Sequence, residues 1–394
     1  MGVQLIGIGT AVPEFALSQT QVRDLFLAQP DVAPLTARII RAAYDGSAID
    51  RRHTVIDDLA GGDGIFIDAE HGAVRSPGTA ARNERYAREA PRLSETAARR
   101  ALRSAGVEPS EITHVVTASC TGFYAPGPEY RLVRDLALDP TVEREHIGFM
   151  GCAAAIPALR SAWRICTADP TATVLVACTE VCSIHIRSSP DPDQIVASAV
   201  FADGAAAAVV TAREARFDGG EGAGPSPDRP SWALELTGFT TALTTDGEQD
   251  MAWIIGDHGF EMTLTGNVPR IVGREVQAAL APVLERVGPV DQWGVHPGGR
   301  SILDRFEQAM QLDEGALQRS RRILRDYGNM SSATVLFILA DLLRDPTAAH
   351  DERVVVTAFG PGLAVETATA RIVPRRSADA AVASRERQAP GAGS

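Results

Sequence analysis

Short runs in which nearly every residue is apolar alternate, along most of the chain, with stretches whose apolar residues recur every three or four positions. Continuous apolar runs of roughly four to eight residues read as strands buried on both faces. Val3–Ile8, Ile112–Ala118, Thr173–Cys178, Ala206–Val210, Trp232–Gly238, Asp291–Val295 and Arg353–Thr357 fit that description. Helical spacing follows Ser18-Gln19-Thr20-Gln21 (Val22, Leu25, Phe26) and continues over 34–49 and 81–105. It returns at Tyr130–Leu136, after Cys152, over 268–287, at Ile302–Phe306 and over Ala333–Leu343. Pro91 lies inside the 81–105 pattern, so that helix either kinks there or starts afresh. Met251 to Val268 carries Trp253, Ile255, Phe260, Met262 and Leu264 in near alternation, which predicts paired strands. Residues 57–80 and the stretch with Pro190 and Pro192 read as loop, and Glu143–His146 as a polar run. Strands alternating with helices predict an α/β fold. The Gly/Pro/Asp-rich stretch 217–230 divides the chain into halves 1–216 and 231–374, and the Ala/Arg/Ser/Gly tail 375–394 is expected to be disordered.

The two halves share one plan. Strand 112–118 leads to Cys120, a Pro/Gly turn, a helix, a second helix opening at Gly151-Cys152, and strand 173–178. Strand 291–295 leads to His296, a Pro/Gly turn, a helix, a second helix opening at Gly328-Asn329, and strand 353–357. Cys120 and Cys152 are 32 residues apart, His296 and Asn329 33. An internal duplication with a pseudo-twofold axis would make equivalent positions face one another. Strand ends and helix starts are where α/β folds hold ligands.

Composition narrows the chemistry. The chain has 394 residues and a net charge of −12, which argues against nucleic acid or an anionic membrane as partner. It contains no lysine, so Schiff-base and P-loop lysine chemistry are excluded, and any ligand phosphate falls to arginine, backbone N–H or a helix start. The five cysteines lack paired metal-ligand spacing, so no metal site is expected and the chain reads as reduced and cytoplasmic. No apolar run reaches a membrane span, and the start Met1-Gly2-Val3-Gln4 has no export-signal character.

Cys152 stands where a polar run meets an apolar helical pattern. Unpaired N–H groups and the helix dipole at such a start favour negative charge, so a lowered thiol pKa is expected. Gly151 lets the backbone turn sharply before it, and Ala153–Ala155 leave space above the sulfur.

Gly151-Cys152-Ala-Ala-Ala, Trp293-Gly-Val-His296-Pro-Gly-Gly, Tyr327-Gly-Asn329-Met-Ser-Ser-Ala and Phe359-Gly-Pro-Gly362 together resemble the type III polyketide synthases, the chalcone synthase-like branch of the thiolase superfamily. The match spans about residues 3–373. The resemblance implies a five-layer α-β-α-β-α fold of two duplicated halves, a homodimer, and Cys152-His296-Asn329 catalysis on acyl-CoA and malonyl-CoA without a bound cofactor. It makes Phe201 a gatekeeper between a CoA tunnel and the reaction cavity, and puts Met262, or Phe260 two residues away, at the second gate. Cys120, His185 and Ser331 match cavity-lining positions. Gly360 and Gly362 would hold backbone close to cavity and cofactor arm. Arg38, Arg41, Arg51 and Arg52 are the candidates for the CoA phosphates. Ala125 stands where plant enzymes place a methionine that crosses the dimer interface, which hints at a longer tunnel.

The chemistry suits these residue types independently. A cysteine thiolate is both nucleophile and leaving group for a waiting acyl chain. A histidine and an asparagine amide can donate to the enolate oxygen formed when malonyl-CoA loses carbon dioxide. The expected function is therefore loading of an acyl-CoA starter on Cys152, decarboxylative extension, and cyclisation to a pyrone or resorcinol/phenol-type ring. The alternatives are a ketoacyl synthase III-like enzyme making one condensation and a non-catalytic acyl-CoA-binding homologue.

Overall fold

The computed structural model describes residues 2–60, 64–213 and 230–375. All of the 217–230 stretch except Pro230, and all of the tail except Arg375, lie outside the described residues.

The main sheet runs in the order Gln292–Val295, Arg353–Gly360, Ala364–Pro374, Trp232–Leu243, Gln4–Ala11, Asp203–Thr211, Thr173–Val181, His114–Ser119, Glu143–Gly148. Its two arms repeat one pattern. His114–Ser119 is parallel to Thr173–Val181, which is antiparallel to Asp203–Thr211, which is antiparallel to Gln4–Ala11. Gln292–Val295 is parallel to Arg353–Gly360, then antiparallel to Ala364–Pro374 and on to Trp232–Leu243. The arms join where Gln4 and Leu5 pair with Glu235 and Leu234.

Side-chain alternation sorts the strands' apolar residues into layers. Val174, Val176, Ala206 and Ala208 of one arm, with Val354, Val356, Ala368 and Ala370 of the other, face a shared middle layer. That layer holds the helices Ala155–Ala168 and Ala333–Leu343. Leu175, Ala177, Ala205 and Ala207 face outward to Thr79–Ala105 and Pro128–Asp135. Val295, Phe359 and Val365 face outward to Val268–Val287 and Arg300–Met310. The result is helix, sheet, helix, sheet, helix. Ala333–Leu343 is buried almost all round, which its apolar composition requires, while Ala155–Ala168 is buried along its first turns and exposes Arg164 and Thr167. Gly9 fixes one of these layer contacts: a Cβ there would lie 2.2 Å from the Ala101 nitrogen of the outer helix.

Several expectations are corrected. Thr79–Ala105 is one helix running through Pro91. Pro192–Val200 is a helix, not loop: Pro192 sits in its first turn and Asp191 caps it through Asp193 N. Glu143–Gly148 is an edge strand, its polarity explained by its exposure. Residues 57–80 contain a short 3-10 turn, Asp57–Ala60, and a small ladder of Ile67–Asp68 with Ala73–Val74. No helix among the described residues is long and apolar enough to cross a membrane.

Candidate active site

The strand ends and central helix starts meet at one side of the sheet. Gly151 has φ +59°, a conformation glycine adopts freely, and a Cβ there would lie 2.6 Å from Pro361 Cδ. The backbone thus turns against the Gly360-Pro361-Gly362 loop. Gly151–Ala153 forms a 3-10 turn ahead of the helix Ala155–Ala168 and presents Cys152 to the cavity. Gly360 is packed as tightly, since its Cβ would lie 2.9 Å from Met150 O. Pro361, between the two glycines, is the residue of that loop that lines the cavity.

Asn329 is held by backbone on both sides: Asn329 N donates to Val200 O, and Ala202 N donates to Asn329 O, each at 2.9 Å. Its amide orientation follows from its partners. Oδ1 accepts from Ser331 N at 2.8 Å, and Nδ2 donates to Gly298 O at 3.3 Å. Both amide atoms lie 3.9 Å from Cys152 Sγ. Nδ2 therefore keeps one proton for a second acceptor.

His296 follows the strand Gln292–Val295 and is anchored by its own N–H to Thr357 O at 2.9 Å. Its carbonyl accepts from Gly298 N at 3.0 Å, so the turn that carries it is the one Asn329 grips. Both ring nitrogens are buried and make no hydrogen bond to any of the described residues. A buried histidine with two idle nitrogens is uncommon in a core serving packing alone.

The ionisation expectation is corrected. Burial pushes the Cys152 thiol up to about 11, against the pull of Ser331 and Asn329 and with the buried Glu180 adding to the rise. Burial pushes His296 down to about 3. The helix-start argument considered the dipole alone, and desolvation outweighs it here. In the unliganded chain both groups are neutral near pH 7.

The cavity holds about 1020 Å³ of open space, counted to its mouth. Cys152, Cys120, Phe201, His185, Phe260, Met262 and Ser331 all line it. Ser331, at φ +48°, puts its Oγ 3.3 Å from Cys120 Sγ. Arg38, Arg41 and Arg51 are exposed. Arg52 differs from the phosphate ligand expected: it is buried, and its Nη1 donates to Ser198 O and Phe201 O at 2.7 Å each. It props the backbone of Phe201 from behind.

Thr121, Cys182, Trp253 and Gln194 are among the lining residues that the sequence did not point to. Glu180 did too. It is fully buried, its carboxyl accepting from Cys120 N at 3.1 Å and Thr121 Oγ1 at 2.9 Å, and burial raises its pKa. One acidic residue inside the buried strand Thr173–Val181 was the available signal. Among the described residues, no group of three or more His, Cys, Asp or Glu side chains could hold a metal ion.

Comparison with known proteins shows the family and the fold. The domain models of the chalcone and stilbene synthases match residues 2–214 (N-terminal domain) and 235–374 (C-terminal domain). A probable polyketide synthase 1 of Dictyostelium discoideum is 28% identical over 372 residues, which are 92% of this chain but only 11% of that protein's length. PKS-I of the brown alga Ectocarpus siliculosus superposes with a TM-score of 0.83 at 27% identity, covering 94% of this chain and 98% of the other. The type III 1,3,6,8-tetrahydroxynaphthalene synthase of Streptomyces coelicolor A3(2) gives 0.80 at 26% identity, covering 93% and 99%. With its duplicated five-layer fold and with both domain models matched, the chain belongs to the chalcone and stilbene synthase family of type III polyketide synthases, acyl-transferring enzymes of the thiolase fold.

Proposed function

We propose that Cys152, His296 and Asn329 load an acyl-CoA starter and extend it with malonyl-CoA. The 3.9 Å approach of the Asn329 amide to Cys152 Sγ at the cavity wall carries this reading. Cys152 comes from the half 1–216, His296 and Asn329 from the half 231–374.

With both groups neutral, loading begins with proton transfer. His296 takes the thiol proton as Sγ bonds to the thioester carbonyl carbon. The bond to the CoA sulfur breaks, and the leaving thiolate recovers that proton. Malonyl-CoA then loses carbon dioxide, and the electron pair becomes an enolate whose oxygen accepts from Asn329 Nδ2 and the His296 ring N–H. The enolate carbon attacks the Cys152 thioester, forms the new carbon–carbon bond and expels Cys152 as a thiolate, which takes the lengthened chain back from its CoA thioester, releasing CoA, before the next extension. One oriented donor in a water-poor site is worth about 3 kcal/mol of barrier.

Phe201 and Met262, or Phe260 in its place, gate the passage from CoA arm to cavity. We assign the CoA phosphates to the exposed Arg38, Arg41 and Arg51. Repeated extension and closure to a pyrone or resorcinol/phenol-type ring complete the cycle, and the enzyme works as a homodimer. The test is incubation with a panel of acyl-CoAs and ¹³C-labelled malonyl-CoA. Ring products carrying two or more labelled units are expected. Products stopping at one extension would place the chain with single-condensation enzymes.

A further inference from the structure

The hairpin of Met251–Gly256 and Gly259–Leu264 gives the cavity Met251, Trp253, Phe260 and Met262, yet it pairs with no strand of the main sheet. Two backbone bonds anchor its ends, Gly362 N to Met251 O at 3.1 Å and Thr79 N to Asp257 O at 2.8 Å, and side-chain-to-backbone bonds hold the rest. Phe260 N donates to His185 Nδ1 at 3.0 Å, and His185 Nε2 lies 2.8 Å from Thr121 O. Arg187 Nη2 donates to Phe260 O at 3.0 Å, and Gln194 Nε2 to Met262 O at 2.6 Å. Trp253 Nε1 donates back across the cavity wall to Cys120 O at 2.7 Å.

The partners of His185 leave it one protonation state. A backbone N–H only donates, and a carbonyl only accepts. Phe260 N–H makes Nδ1 the acceptor, and Thr121 O makes Nε2 the protonated nitrogen. An imidazolium would set two N–H groups against each other at Nδ1. Burial, with Arg82 and Arg187 nearby, pushes the ring pKa down to about 3, in keeping with a neutral ring. The ring stacks on Phe260 with centroids 4.5 Å apart and meets Trp253 edge-on at 5.5 Å. Both nitrogens are occupied, so His185 has none left for a substrate and no proton to exchange in the reaction.

We propose that His185 is a positioning residue that pins the hairpin to the Thr121 turn and so sets the cavity wall that decides which acyl chains fit. The specificity half of this proposal rests on the polyketide synthase reading; the clamp itself does not.

The experiment compares His185→Phe, which keeps a planar ring without nitrogens, with His185→Gln, which keeps one acceptor and one donor. Two quantities are read on the full-length protein: amide hydrogen exchange of the peptide containing Phe260, and the ratio of kcat/KM for palmitoyl-CoA to that for hexanoyl-CoA. His185→Phe, which loses both the Phe260 N–H and the Thr121 O bonds, is expected to move each by at least about tenfold, while iodoacetamide labelling of Cys152 keeps its wild-type rate. His185→Gln is expected to bring both back towards wild type. Unchanged exchange and selectivity in His185→Phe, or His185→Gln as far displaced as His185→Phe, would overturn the proposal. Should His185→Phe fail to fold, ¹⁵N shifts of histidine-labelled wild-type protein decide: the neutral Nε2–H tautomer at pH 7 supports the clamp, and the other tautomer or an imidazolium overturns it. If the wild-type protein extends no acyl-CoA, the functional reading falls, while exchange and tautomer still judge the clamp.

Discussion

The two arms of the sheet and the two excursions that leave them divide the work of this protein differently. Each half begins with a strand, Gln4–Ala11 or Trp232–Leu243, and returns as an outer helix, Thr79–Ala105 or Val268–Val287. Between these elements the chain makes an excursion, long in the first half and little more than the hairpin in the second. The repeated arms carry Cys152 and Asn329 at equivalent helix starts, and these two residues meet. The excursions carry none of the reacting groups but much of the cavity: Leu17, Val22, Arg52, His53 and Leu59 from one, Met251, Trp253, Phe260 and Met262 from the other. Duplication supplied a rigid frame in which equivalent positions face one another. The unlike excursions supplied the shape of the hollow between them.

If reactivity belongs to the arms and shape to the excursions, changes in the two regions must differ in size and in kind. Cys152→Ala should abolish the acyl adduct seen by intact mass after incubation with hexanoyl-CoA, because Cys152 is the cavity-lining cysteine that the Asn329 amide approaches, at 3.9 Å. An adduct on Cys120 in that variant would break the division. Asn329→Ala should slow malonyl-CoA decarboxylation about a hundredfold, the loss of one oriented donor, with a much smaller effect on loading. Equal losses in the two steps would give Asn329 a structural role only.

Alkylation of unliganded enzyme sharpens the comparison through pH. A thiol with a pKa of about 11 is protonated at neutral pH, so iodoacetamide labelling of Cys152 should rise about tenfold per pH unit from 7 to 9 without levelling. A plateau below pH 8 would reveal a preformed thiolate–imidazolium pair. Within the frame, Gly9→Ala forces a Cβ against backbone of the Thr79–Ala105 helix and should lower the thermal midpoint, by an overpacking cost of about 1–3 kcal/mol. In an excursion, Met262→Ala should shift starter preference several-fold and leave the thermal midpoint near wild type, measured by competition between two acyl-CoAs; a loss of decarboxylation there would blur the boundary drawn here.

Most of the frame was legible in the sequence because its strands are buried on both faces and stand out as unbroken apolar runs; Ala364–Pro374 was not, because Glu366, Thr367, Thr369 and Arg371 interrupt its apolar pattern. What escaped did so for local reasons. Glu143–Gly148 is exposed along most of its length, so charge masks its strand pattern. Pro192–Val200 was hidden by its prolines, although an aspartate followed by proline is a helix start when read for capping. Short motifs and matched spacing pointed to Cys152, His296 and Asn329 as the candidate site, and the fold brings Cys152 and Asn329 together. Their ionisation was not, because desolvation depends on what the whole fold places around a sulfur or a ring. Arg52 teaches the same lesson. Arg51 beside it is exposed, while the Arg52 guanidinium is buried against the carbonyls of Ser198 and Phe201.

The central claim is that one sulfur, gripped from the other half of the chain by Asn329, carries the growing product. Rapid-quench peptide mapping tests it most directly, with hexanoyl-CoA alone and then with ¹³C-malonyl-CoA added. The account predicts a hexanoyl mass on the Cys152 peptide, replaced after malonyl-CoA by masses heavier by whole labelled two-carbon units. A hexanoyl group found on Cys120 or Cys182, or one on Cys152 that never lengthens, would contradict it.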